Sequence, residues 1–293
     1  DFAARMLIDA DDVIITEDPT FLGALIAFEP SQPRYAVVPV DGHGMQTDHL
    51  EAVLAANPRA RMIYTVPDFQ NPTGVTLSLA RRKQLIALAN RHDLIVLEDT
   101  PYRHIRFSGE SLPTLKSLDT DGRVIHLGSF SKVLVPALRI GWAVAAPELL
   151  DRMGLLKVAA DTQTSTLNMA AASLFLDRYD LTAHVSTLRT AYARKKDAML
   201  SAMRQYFPQE ISVTDPEVGL FTWATFPEGL DATAFMRDVA LPQARVAYVP
   251  GATFFPLTPR PNHARFNFSA QSEENIRTGI AALGKALHSH LLS

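Results

Sequence analysis

Four stretches of this sequence place reactive side chains at or just beyond the end of an apolar run. "YTVPDFQNPTG" leads into an Asn-Pro turn that carries Asn71, and "LIVLEDTPY" delivers Asp99 with Tyr102 three residues on. "VIHLGSFSK" closes with Ser129, Ser131 and Lys132, and "ALRIGW" follows with Arg139. A lysine is ordinarily a strongly hydrated surface group. Lys132 instead stands among glycine, small hydroxyls and apolar residues, a setting that suits a reactive amine. Such an amine needs a lowered proton affinity, which burial or a neighbouring cation provides.

Each piece taken alone has an ordinary reading. Asn-Pro-Thr-Gly is a common turn, an acid at a strand end often caps the helix that follows, and Arg139 could be a solvated strand residue. The order and spacing of all four carry the argument. An amide, a carboxylate with a phenol, and two hydroxyls with an amine form one site if the strands that deliver them are neighbours. In open α/β sheets, ligands bind beyond the carboxyl ends of the strands.

The elements that must do this positioning are legible as apolar runs. "DVIITE", "YAVVPV", "RMIYTVP", "LIVLED", "RVIHLGS" and "IGWAVAA" read as buried strands. Helical patterns at "TFLGALIAFE", "TDHLEAVLAANP" and "SLARRKQLIALANRHD" separate several of them. This alternation predicts an α/β fold, a mostly parallel central sheet flanked by helices on both faces. A long helix then shows Val185, Leu188, Tyr192, Met199, Met203 and Tyr206 on one face. Beyond it come "ISVT", "LFTWATF", a helix at "DATAFMRDVA", "ARVAYVP", "ARFNFS" and a last helix from Glu273, the texture of a smaller α+β domain. The expected division is 1–182 and 183–293.

Composition narrows the classes. The chain has 293 residues, 47% hydrophobic and 20% charged, enough for one large domain or two smaller ones. Its formal net charge is −3 with the signs interspersed, so no basic stripe suggests nucleic-acid binding through this chain. It contains no cysteine, which fits a reducing, cytoplasmic setting. No apolar run approaches the roughly 18 residues of a membrane span. The nine histidines show no metal-ligand spacing, and no metal is expected.

Together and in this order, "NPTG", "EDTPY", "GSFSK", "ALRIGW" and "ARFNFS" resemble the fold-type I pyridoxal-phosphate enzymes, specifically the class I/II aminotransferases. The likeness is nearest to the subgroup that holds 2-aminoadipate and kynurenine aminotransferases and the aminotransferase-like domains of MocR-type regulators. It runs from "VIITEDPTF" to the last helix. The resemblance implies pyridoxal 5'-phosphate as cofactor, with Lys132 as its Schiff-base lysine and the amine that moves the proton. It implies Asp99 against the pyridine nitrogen, Tyr102 and Asn71 on the ring oxygen, and Ser129, Ser131 and Arg139 on the phosphate. Phe21 matches the ring that stacks on the cofactor, where the subgroup more often has tyrosine. Arg265 matches the arginine that grips the substrate α-carboxylate, with Asn71 beside it, and the Pro250–Gly251 loop matches a lining segment.

The expected reaction moves an amino group between an amino acid and a 2-oxo acid, in a homodimer. The family pattern also has an upstream Gly/Ser-rich turn and helix N-terminus for the phosphate, and a tyrosine given across the dimer. This chain opens just after that turn, so roughly a hundred residues of the pattern lack a counterpart, and a longer protein is expected. The alternatives are an effector-sensing domain of a MocR/GntR-type regulator, a lyase or decarboxylase on the same fold, and a truncated fragment that does not catalyse.

Overall fold

Runs rich in valine and isoleucine become the strands of a sheet whose inner members are covered from both sides. In the computed structural model, which describes residues 1–292, the first seven strands form one sheet. They are β1 (Val13–Asp18), β2 (Arg34–Asp41), β3 (Gly44–Met45), β4 (Ala60–Thr65), β5 (Ile95–Asp99), β6 (Val124–Ser129) and β7 (Gly141–Val144). Their order across the sheet is β3-β2-β1-β4-β5-β6-β7. The pairs from β2 through β6 are parallel, while β3 and β7 join antiparallel at the edges. Alternate residues face opposite layers. Ile15, Ile63, Val96 and Val124 enter one apolar core, and Ile14, Met62, Leu97 and Ile125 enter the other.

The condition set by the sequence is met, because β4, β5 and β6 are consecutive neighbours. Thr65 pairs with Glu98 and Asp99 pairs with Leu127, so the three strands finish close to one line. The loops that follow therefore open over the same edge of the sheet.

A second sheet, ordered β10-β11-β9-β8, is built from β8 (Ser212–Val213), β9 (Phe221–Thr225), β10 (Val249–Pro250) and β11 (His263–Asn267). All its pairs are antiparallel. The helices Leu181–Tyr206 and Glu273–Leu291 pack against each other beside it. Asp180 starts the first by accepting from Thr182 N at 2.7 Å, and Ser272 starts the second by accepting from Asn275 N at 3.1 Å. Met199, Met203, Phe226, Phe266, Ile280 and Leu287 fill the core between them.

Several details depart from the sequence reading. The helix Ala232–Phe235 runs on as a wider-turned segment, Met236–Ala244, that accommodates Pro242, a residue with no N–H to give. "ARVAYVP" contributes only Val249–Pro250 to the sheet, since Arg245 turns the chain in a left-handed conformation (φ 56°). The helices Pro147–Asp161 and Thr166–Arg178 were not expected. Their apolar residues form no single buried stripe, and Leu155, Val158 and Leu167 are 74%, 63% and 77% exposed. Among the described residues, no helix is long and apolar enough to cross a membrane, and no three metal-ligating side chains cluster.

Candidate active site

A cavity of about 400 Å³ opens where β4, β5 and β6 end. Asn71 reaches it from the turn after β4, Asp99 and Tyr102 from the end of β5, and Ser129, Ser131 and Lys132 from the end of β6. Phe21 enters from the segment after β1, Arg139 from the turn before β7, and Arg265 from β11 of the second sheet. All nine residues singled out in the sequence line this one cavity. Pro250 and Gly251 do not line it; their loop instead supplies Phe254, whose ring lies 5.1 Å from the Arg265 guanidinium.

Lys132 follows a tight turn. Ser131 N donates to Ser129 Oγ at 3.0 Å, and Phe130 N donates to the Ile140 carbonyl at 3.1 Å. Its half-buried amine stands 6.0 Å from the centre of the Tyr102 ring, and no carboxylate pairs with it among the described residues. Burial lowers its proton affinity, and the charges of Arg265 and Arg139 lower it further. A β-carbon on Gly128 would overlap the Trp142 indole, so this glycine makes room for Trp142. Arg139 adopts a left-handed backbone (φ 52°), uncommon for a residue other than glycine. That turn brings its Nη1 to 3.4 Å from Ser131 Oγ, close to the hydroxyls it was expected to join.

Asp99 receives a hydrogen bond on Oδ2 from Tyr64 Oη at 3.0 Å. Burial pushes its carboxyl up to about 6, against the opposing effects of the Tyr64 hydrogen bond and of His126. His126 is itself engaged, with Nδ1 2.9 Å from the buried Glu98 and Nε2 3.3 Å from Thr100 Oγ1. Tyr102 is 7% exposed, with its ring edge-on to Phe69 and Phe221 at 5.2 and 5.5 Å. Burial pushes its phenol up to about 12, so it stays protonated at neutral pH.

The turn that carries Asn71 is held by residues the sequence reading passed over. Glu17, buried at the end of β1, accepts from Thr65 Oγ1 at 2.6 Å, Gln70 Nε2 at 3.2 Å and Val66 N at 3.3 Å. Asp68 is enclosed by Arg82 at 2.9 Å, Arg103 at 2.8 Å and Arg106 at 3.7 Å. The signal was present as polar residues inside an apolar stretch, in "IITED" and "YTVPDFQ". Their partners, however, lie on other strands and helices, which spacing alone does not reveal.

Arg265 stacks on Phe221, 4.8 Å from the ring centre, and donates from Nη1 to Asn71 Oδ1 at 2.8 Å. Its Nε is buried with no partner. A buried, unmet guanidinium donor calls for an anion, and a carboxylate matches its planar fork. The rest of the donor set fits pyridoxal phosphate. An amine can meet an aldehyde, a buried carboxylate can meet a ring nitrogen, a phenol and an amide can meet a ring oxygen, and two hydroxyls with an arginine can meet a phosphate.

Comparison with known proteins gives the same answer. Residues 1–283 match the family of class I and II aminotransferases. The chain is 40% identical over 291 residues to aromatic-amino-acid aminotransferase 1 of Thermococcus litoralis, covering 98% of this chain and 69% of that protein. It is 36% identical over 290 residues to the 2-aminoadipate transaminase of Thermus thermophilus, covering 98% and 72%. It superposes on the crystal structure of Pyrococcus horikoshii kynurenine aminotransferase with a TM-score of 0.95 at 37% identity, covering 99% of this chain and 72% of that one. With the fold, the cavity and this likeness over nearly its whole length in agreement, the chain belongs to the class I and II aminotransferases and is an enzyme of that activity.

Proposed function

We propose that this aminotransferase moves an amino group between an amino acid and a 2-oxo acid by using Lys132 as its covalent lysine and proton carrier. The enzyme is pyridoxal 5'-phosphate-dependent. When bound, the cofactor supplies a carbonyl for the amine to attack and an electron-poor ring that accepts the electrons of a breaking C–H bond. Lys132, with lowered proton affinity, would take the proton from the substrate α-carbon and return it to the cofactor carbon two atoms away. Asp99 keeps the ring nitrogen protonated, while Tyr102 and Asn71 hold the ring oxygen. Ser129, Ser131 and Arg139 hold the phosphate. Phe21 covers a ring face, and Arg265 with Asn71 orients the substrate carboxylate.

The observation that carries this reading is the convergence of Lys132, Asp99 and Arg265 from three separate elements on one cavity. Leu220 and Phe221 add apolar lining, which favours amino acids with aromatic or aliphatic side chains. Residues 1–182 form the cofactor-binding unit and 183–293 the smaller unit, with the boundary near the start of the helix Leu181–Tyr206. The working form is a homodimer, supported by the exposed apolar residues of the helices Pro147–Asp161 and Thr166–Arg178. Its compartment is the cytoplasm, in keeping with a cysteine-free chain, and its place is in amino-acid biosynthesis.

The test is an absorption spectrum of the purified protein with added pyridoxal phosphate, followed by borohydride reduction and peptide mapping. Attachment at Lys132, lost together with transamination in Lys132→Ala, supports the proposal. Attachment at another lysine removes Lys132 from this role, and binding without any turnover favours the effector-sensing alternative.

A further inference from the structure

We propose that Tyr64 is a positioning residue for Asp99: its phenol holds one carboxylate oxygen so that the other is kept for the cofactor ring nitrogen. This rests on the reading of Asp99 given above.

Tyr64 lies in β4, one strand from Asp99, and is 2% exposed. The register sets it beside Leu97 of β5 and Thr16 of β1, and Phe28 packs edge-on against its ring at 5.5 Å. A ring held on these sides has little freedom to swing, so its hydroxyl is aimed by the sheet itself. That hydroxyl donates to Asp99 Oδ2 at 3.0 Å and is the only hydrogen-bond donor to the carboxylate among the described residues. No arginine or lysine pairs with Asp99 among those residues, and His126 is occupied by Glu98 and Thr100. Burial and the adjacent Asp99 raise the phenol's own ionisation well above its ordinary range, so it remains a donor.

The consequence is chemical. A carboxylate that accepts a hydrogen bond is less basic than a bare one in the same apolar wall. With the phenol present, a proton shared between Asp99 and a pyridine nitrogen stays on the nitrogen. Without it, the more basic carboxylate draws that proton to itself, and the ring loses electron-withdrawing power.

The experiment uses pyridoxal phosphate labelled with ¹⁵N in the ring. The nitrogen chemical shift and the cofactor dissociation constant are measured in the parent, Tyr64→Phe, Asp99→Asn and the double variant. Phe28→Leu, which loosens the same ring but keeps the hydroxyl, is the packing control. Tyr64→Phe is expected to move the shift toward neutral pyridine and weaken binding about tenfold, the size of one charge-assisted hydrogen bond. In the Asp99→Asn background the same change should have no further effect, and Phe28→Leu should lower the melting temperature with the shift unchanged. A parent-like nitrogen shift in Tyr64→Phe overturns the proposal, as does an equal displacement with or without Asp99, or in Phe28→Leu. If Asp99→Asn itself leaves the nitrogen protonated, the role of Asp99 fails first, which is a separate result.

Discussion

Arg265 Nη1 donates to Asn71 Oδ1 at 2.8 Å across 194 residues of sequence, joining a strand of the second sheet to the turn beyond β4. The two residues assigned to the substrate carboxylate thus already hold each other in place. The remaining buried Nε has no partner. Arg265→Lys keeps the charge but loses the planar fork and the stacking on Phe221. It should lower kcat/KM by about 10- to 150-fold, equivalent to about 1.5–3 kcal/mol, mostly through KM for both amino acid and 2-oxo acid. Steady-state kinetics decide this, and an unchanged KM would remove Arg265 from substrate binding.

A pH dependence follows from Glu17, which is 1% exposed and raised to about 7 by burial, against its hydrogen bonds from Thr65, Gln70 and Val66. The folded state therefore holds this proton more tightly than the unfolded chain does. The associated stability is complete below about 4.5, the ordinary value, and is lost as pH rises through about 7, a fall of about 3 kcal/mol. Asp99, raised to about 6, acts in the same direction over a lower window. Urea unfolding of the cofactor-free protein should therefore show midpoints falling between these limits. In Glu17→Gln that slope should flatten, and an unaltered pH profile would rule the assignment out.

Asp68 works with the opposite sign. Burial alone would raise its carboxyl, but Arg82 and Arg103 outweigh that and hold it below the ordinary range. Its contribution is present above the ordinary carboxylate value and disappears as pH falls through the lower folded one. Replacing it leaves the fully buried Arg82 without its carboxylate. Asp68→Asn should cost about 3–5 kcal/mol in chemical denaturation, the usual size for breaking a buried ion pair. A cost below 1 kcal/mol would show that the carbonyls of Leu77, Pro67 and Pro113, which also accept from Arg82, suffice.

Gly219 lies close against the ring of Phe69. Phe69 is fully buried, its ring 4.5 Å from Phe221 and 5.2 Å from Tyr102, and a β-carbon on Gly219 would overlap it. Gly219 also has φ +100°, where a side chain is strained. Phe69→Ala should cost about 3–5 kcal/mol by opening a hole beneath Tyr102. Gly219→Ala should lower the melting temperature and also kcat/KM, because the displaced ring supports two walls of the cavity. A fully active, parent-like Gly219→Ala protein would contradict this close fit.

The inner strands β1, β4 and β5 of the large sheet were legible because they are largely buried on both faces and so are nearly continuously apolar, as in "VIIT" and "LIVL". The long helix was legible from its stripe, in which Val185, Met199 and Met203 are buried. The helices Pro147–Asp161 and Thr166–Arg178 were not, because leucines and valines on several sides leave no period to read. The packing of Gly128 against Trp142 was not legible either, being a contact across the β6–β7 pairing that local sequence does not encode.

By itself, the sequence determined which residue types end each strand, and therefore which groups could meet a cofactor: Asn71, Asp99, Tyr102, Ser129, Ser131 and Lys132. Strand ends are local properties of the chain, written by where apolar runs stop. Only the tertiary structure decided that β4, β5 and β6 lie side by side, that Arg265 returns from the second sheet to Asn71, and that Tyr64 turns its hydroxyl onto Asp99. Those are pairings between distant segments, chosen by sheet register and by the burial of side chains against one another.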